Sequence, residues 1–135
     1  MACYADLGLA IKDYDLKSAG DMCGTPGYVD PEVLFGNLFT TKSDIFSLGC
    51  VMYNLLTCRI LFGGINVKQI LHKNKRSDPA HQVEKYCRNV SPFCVDLIKR
   101  MLVQTQKARP SAEECLNHPW FKDSKQIITK MLYAN

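Results

Sequence analysis

From Ile45 to Leu56 the chain is apolar on nearly every face of a helix, carrying Ile45, Phe46, Leu48, Val51, Met52, Tyr53, Leu55 and Leu56. A surface helix shows one apolar stripe; a helix apolar all round belongs inside a domain. Ser43 or Asp44 offers a cap oxygen for its first amides, and the run ends near Thr57. Such a helix needs apolar elements to cover it. Ser91-Pro92 sets a cap before a proline at the first helical position, and Val95, Leu97, Ile98, Met101 and Leu102 follow as a stripe. Ser111-Ala112-Glu113-Glu114 is a capping box predicting a helix to about Asn117, which His118-Pro119 stops. Val67 to Lys73 predicts a shorter helix, and Trp120 and Phe121 are expected to close the core. No internal repeat is present.

The front of the chain reads differently. Residues 9 to 31 hold no sustained period, and Gly20, Gly24, Pro26, Gly27 and Pro31 make them a long loop. A loop of that length in a compact domain is usually functional. Met1 to Tyr4 reads as the end of a short strand, with Asp6-Leu7-Gly8 turning out of it.

Composition narrows the class. With 135 residues, 47% hydrophobic and 22% charged, the chain has the content of one modest folded domain. The formal charge is +4, and the basic residues are scattered except for Lys73 to Arg76, which reads as a solvated loop. A nucleic-acid partner is therefore not expected. The most apolar run is short and interrupted by Ser47 and Asn54, and Asp6 breaks the start before an apolar leader forms, so neither a membrane span nor a signal peptide is predicted. Seven cysteines, an odd count without a C-x-x-C pair or a histidine spaced for zinc, predict reduced thiols and a cytoplasmic or nuclear setting. His72, His81 and His118 show no metal or triad spacing and read as surface or capping residues.

Four ordered motifs remain: Asp6-Leu7-Gly8; Cys23 to Glu32, which reads C-G-T-P-G-Y-V-D-P-E; Ser43 to Gly49; and Ala108-Arg109-Pro110-Ser111. Their order and offsets resemble the eukaryotic protein kinase family from its D-F-G motif onward. Within that family the chain is most similar to calcium/calmodulin-dependent-type serine/threonine kinases, through C-G-T-P-G-Y, the Ser43 to Gly49 run and Ala112 to Phe121. The resemblance covers about Ala5 to Phe121. It implies a mainly α fold, a partial kinase C-terminal lobe in which a helical bundle carries a long activation segment at its front. The domain would span residues 1–121, with the activation segment at about 6–32, the helical lobe at about 33–121 and a tail at 122–135.

The resemblance also implies roles. Phosphoryl transfer needs a metal on the nucleotide phosphates, a base near the acceptor hydroxyl and accurate positioning. Asp6 would hold magnesium, its carboxylate suiting a hard cation; ATP and Mg2+ are the cofactors of an intact member, and a protein is its substrate. Leu7, in place of phenylalanine, would pack against the lobe. Gly24, Thr25, Pro26, Gly27 and Tyr28 resemble the substrate-docking loop of serine/threonine kinases. Glu32 and Arg109 would form the structural ion pair that anchors the segment, a bidentate contact. Asp30 stands where the family has alanine, and a carboxylate there must find a donor or face water. Asp44 would brace the catalytic loop, or else cap its own helix. Asp21 occupies the position of a phosphorylatable threonine, where its fixed charge would partly substitute for a phosphate, and Ser18 is a candidate phosphosite.

The 135 residues contain no glycine-rich G-x-G-x-x-G loop, no V-A-I-K lysine and no H-R-D catalytic loop, so no catalytic residue of the family is present among them. Two expectations follow. In the first, the chain is part of a serine/threonine kinase whose other half is missing and is inactive alone, its apolar face at 45–56 exposed for that half or another partner. In the second, it is a non-catalytic lobe-like binding or regulatory module. Lys122, Lys125 and Lys130 among Ile127, Ile128, Met131 and Leu132 predict a final helix that ends the domain.

Overall fold

The computed structural model describes residues 7–12 and 24–122. The strand expected at Met1 to Tyr4, together with Asp6, Ser18, Asp21 and the tail beyond residue 122, lies outside the described residues. The described part is helical, with no strand in it: α1 (Pro31–Leu34), α2 (Thr41–Thr57), α3 (Val67–Arg76), α4 (Pro79–Tyr86), α5 (Pro92–Met101), a 3-10 turn (Gln106–Ala108) and α6 (Ala112–Leu116). A last helical turn begins at residue 119.

Three helices start in the same way, with an oxygen-bearing cap followed by proline. Asp30 caps α1, Asp78 caps α4 and Ser91 caps α5, each accepting from an amide of the first turn. Only the last was predicted; α4 was missed although Asp78-Pro79 carries the same signal. The Ser111 box is present in both directions, Ser111 N donating to Glu114 Oε2 at 2.6 Å and Glu114 N to Ser111 Oγ at 3.1 Å. At α2 the expected cap is corrected. Thr40 holds the cap position and Ser43 is the third helical residue, its Oγ accepting from Thr40 N at 3.1 Å, while Asp44 lies one position further in.

Helix α2 forms the spine. Phe46, Cys50 and Tyr53 pack with Leu61, Phe62, Val83, Cys87, Cys94, Ile98 and Leu102 in one core cluster, and Phe46 stacks on Phe62 at 6.2 Å. Ile45 joins Leu97, Met101 and Cys115 in a second, on which Trp120 and Phe121 pack. Gly49 lets α2 and α5 approach closely, because a Cβ there would stand 3.0–3.1 Å from Leu102 and Met101. The opposite side of α2 is uncovered: Leu55 is 76% exposed, and Leu48, Val51 and Leu56 are exposed too.

Two expectations are corrected. Lys73 to Arg76 is the last turn of α3 rather than a loop, with Asn74 fully buried and Lys73 Nζ donating to Gly63 O at 2.7 Å. Leu7 does not pack on the lobe but is exposed, since none of residues 7–12 is buried.

Candidate functional site

The loop from Gly24 to Asp30 is held open-faced on α2 and α3. Tyr28 N donates to Thr25 O at 3.1 Å, closing a turn that Gly27 completes at φ +89°, a left-handed conformation that side chains disfavour. A Cβ at Gly27 would also meet Ile70 at 3.2 Å and the Phe62 carbonyl at 3.4 Å. Gly24 and Thr25 are exposed at the front, Pro26 and Tyr28 are half-buried, and Gly27 is buried.

Three polar contacts fix the rest of the loop. Ser47 Oγ donates to Tyr28 O at 2.8 Å. The Tyr28 hydroxyl donates to the Asn54 amide oxygen at 2.5 Å, an orientation in which the Asn54 nitrogen donates to the carbonyls of Arg59 at 2.6 Å and Cys50 at 3.2 Å. Asn74 Nδ2 donates to Val29 O at 2.8 Å from a fully buried side chain, tying α3 to the loop. The Asn74 contact was missed, though a signal existed: an asparagine four residues after Ile70 falls on the apolar side of α3 and must find a partner there.

Behind the loop lies a buried charge network that corrects the expected ion pair. The Arg109 guanidinium binds Asp30 and not Glu32, Nη1 at 2.7 Å from Asp30 Oδ2 and Nη2 at 3.2 Å from Oδ1, with both side chains fully buried. Its remaining donors reach backbone carbonyls: Nε to Val103 at 2.9 Å, Nη1 to Lys42 at 2.7 Å and Nη2 to Gln104 at 3.1 Å. All five guanidinium N–H groups are thus satisfied. Phe46 lies beneath Arg109, ring centroid to guanidinium carbon 4.9 Å. Asp30 accepts further from Ser43 Oγ at 2.9 Å, Gln106 Nε2 at 2.8 Å and Glu32 N at 2.9 Å.

The reason for the exchange is position. As the cap of α1, Asp30 directs its short carboxylate inward, whereas Glu32 lies half-buried in the first turn and turns to Gln106 N at 3.0 Å and Asn37 Nδ2 at 2.9 Å. Burial pushes the Asp30 carboxyl up, but hydrogen bonds and charge from Arg109, with Glu32 N and the Gln106 amide, outweigh it and hold the group below the ordinary carboxylate value.

Asp44 is exposed and its side chain has no hydrogen bond or ion pair with the described residues; with Leu48, Val51 and Leu55 it follows helical spacing along the uncovered side of α2. His118, expected at the surface or as a cap, is buried and caps the last helical turn: Nδ1 accepts from Trp120 N at 3.3 Å, so Nε2 carries the proton it gives Asp96 at 2.9 Å. The five described cysteines are free, and burial pushes the Cys50 thiol up to about 12, which leaves it unreactive. No group of three or more potential metal ligands occurs among the described residues, and Asp6 lies outside them, so the described residues do not by themselves fit a magnesium site.

The described residues thus form a helical body with a turn-locked Gly-Thr-Pro-Gly-Tyr loop at its front, Gly24 and Thr25 exposed and Gly27 buried. The protein kinase domain model matches residues 4–121, and the chain belongs to the protein kinase domain family. Its relatives include serine/threonine-protein kinase PLK1 of Xenopus tropicalis, 35% identical over 120 residues, serine/threonine-protein kinase ATG1c of Arabidopsis thaliana, 33% over 119, and serine/threonine-protein kinase 17A of Oryctolagus cuniculus, 33% over 119. The alignments cover 86%, 88% and 88% of this chain but only 19%, 16% and 30% of those relatives. Serine/threonine kinase family membership follows.

Proposed function

We propose that residues 24–30, backed by the Asp30–Arg109 network, seat the acceptor segment of a protein substrate in serine/threonine phosphoryl transfer. The observation that supports this most is the loop itself. Gly24 and Thr25 face outward while Gly27, Val29 and Asp30 are buried, so the loop offers a fixed edge on a rigid base. Pre-set loop geometry spares the ordering cost that a mobile loop would add on binding. Asp30 supplies the anchor that Glu32 would supply elsewhere in the family, and it acts by holding the loop, not by touching the reacting atoms.

Nucleotide and base belong to other parts of a kinase. ATP and Mg2+ serve the intact enzyme, and within this chain Asp6 is the residue proposed to meet the metal. Asp44 is proposed to reach the catalytic loop, because it stands at the head of the uncovered stripe Leu48, Val51 and Leu55 and its side chain has no partner among the described residues. That stripe is the surface on which the rest of the kinase would pack. The calcium/calmodulin-dependent subgroup, the domain limits at 1–121, a regulatory role for Ser18 or Asp21 and a cytoplasmic or nuclear setting rest on the sequence motifs and the free thiols. The purified 135 residues, given ATP, magnesium and a serine/threonine peptide, are expected to yield no phosphopeptide; measurable transfer that stops when magnesium is removed would refute this division of labour. A non-catalytic module is the second reading, favoured by the same uncovered stripe, and it predicts a stable partner in place of transfer.

A further inference from the structure

Between α1 and α3 runs an open groove of about 540 Å³ lined by Leu34, Val67, Leu71, Lys68, His72 and Lys75. Its floor is apolar and its rim is basic. Leu71 packs on the Val29, Val33 and Leu34 cluster, so the floor continues into the docking loop, to which α3 is already tied by Asn74 and Ile70. Apolar surface extends outward from the groove: Phe35 is 64% exposed, and Val67, Leu38 and Ile65 are exposed as well.

The charged residues that line it have one sign, Lys68 and Lys75. Between Asp44 and Asp78 the sequence contains no acidic residue, while Arg59, Lys68, Lys73, Lys75 and Arg76 are basic. Lys73 is held by the Gly63 carbonyl and Lys75 lies 5.2 Å from the Phe35 ring centroid, but no ion pair among the described residues neutralises any cation of α3. The nearest carboxylates of α1 face away, Asp30 into the core on Arg109 and Glu32 onto Gln106. An exposed apolar floor inside an unneutralised basic rim selects a ligand with the opposite pattern.

We propose that this groove docks an acidic segment with apolar anchor residues belonging to the substrate protein, an inference that rests on the proposed seating of that protein's acceptor segment at residues 24–30. Apolar side chains enter over Leu34, Val67 and Leu71, and carboxylates meet Lys68 and Lys75. A patch beside the docking loop raises the local concentration of any acceptor on the same polypeptide without contacting the transferred group.

The test is fluorescence anisotropy with the full 135-residue chain and no nucleotide, so that failure here is separate from failure of the transfer assignment. The probes are labelled peptides with three leucines at helical spacing in a glutamate background, the same leucines in a lysine background, and the glutamate peptide with alanine for leucine. The glutamate–leucine peptide is expected to bind at least tenfold tighter than both controls and to weaken several-fold on raising salt from 50 to 300 mM. A doubly reversed chain, Lys68→Glu with Lys75→Glu, is expected to lose about tenfold in affinity for it and to prefer the lysine–leucine peptide. Selectivity among the three peptides is read on the unaltered chain and needs no variant to fold. Equal binding of the glutamate–alanine peptide, indifference to charge reversal, or no peptide binding would overturn the proposal. So would binding only to phosphatidylserine vesicles, which would assign the groove to a membrane surface.

Discussion

At the scale of single residues, the decisive substitution is aspartate at position 30. A lone carboxylate in the core would be costly, yet Asp30 gathers Arg109, Gln106, Ser43 and the amide of Glu32. Removing one member of a buried pair leaves the other charge uncompensated, at roughly 3–5 kcal/mol. Urea unfolding is therefore expected to show Asp30→Ala losing about that much and Glu32→Ala about 1 kcal/mol. Equal losses would return the anchor to Glu32. Acid acts through the same group. Its folded pKa lies below the ordinary 3.8, so the stability it gives is fully present above that value and is lost as pH falls through the folded one. Asp30→Asn should flatten the acid limb of a stability-versus-pH curve; the depressed Asp96, Glu84 and Glu114 are more exposed and contribute less. The motif itself was legible, and so was the requirement that Asp30 find a donor. Which carboxylate Arg109 would take was not, because the cap geometry of a one-turn helix decides it, and the sequence separation of Asp30 from Arg109 carries no trace of that geometry.

At the scale of elements, capping chemistry was the most readable signal; it misplaced the start of α2, where Thr40 and not Ser43 or Asp44 is the cap, and it was not applied at α1 and α4. Ser91-Pro92 and the Ser111 box gave α5 and α6 within a residue or two, while Asp78-Pro79 and Asp30-Pro31 started α4 and α1 by the same rule. Helix α3 misled because its last turn is basic, and the buried Asn74 shows that the turn faces the loop 24–30. Asn74→Ala should release the Val29 carbonyl, and hydrogen exchange at residues 24–30 is expected to quicken by about tenfold, equivalent to ~1.4 kcal/mol of local opening; unchanged exchange would mean that Gly27 and Ser47 hold the loop alone. Helix α2 was readable as the spine, including its surplus of apolar surface. Leu55→Glu, on its uncovered side, should change unfolding free energy by less than about 0.5 kcal/mol while reducing self-association seen by light scattering. A large destabilisation would show that Leu55 is covered in the folded chain.

At the scale of the whole molecule, the chain divides its work by face. One side of α2 builds the core with α4 and α5, the front carries the loop 24–30 on the Asp30–Arg109 network, and the remaining side is an apolar stripe headed by Asp44, whose side chain has no partner among the described residues. Each face is compatible with membership of the serine/threonine kinase family. The most direct measurement is a graft: residues 6–121 replace the corresponding stretch of an active serine/threonine relative, and transfer from ATP is followed on matched serine, threonine and tyrosine peptides. The account predicts transfer to serine or threonine only, reduced at least tenfold by Thr25→Ala in a chimera that still folds. A folded chimera that transfers to none of the peptides, or equally well to tyrosine, would contradict it.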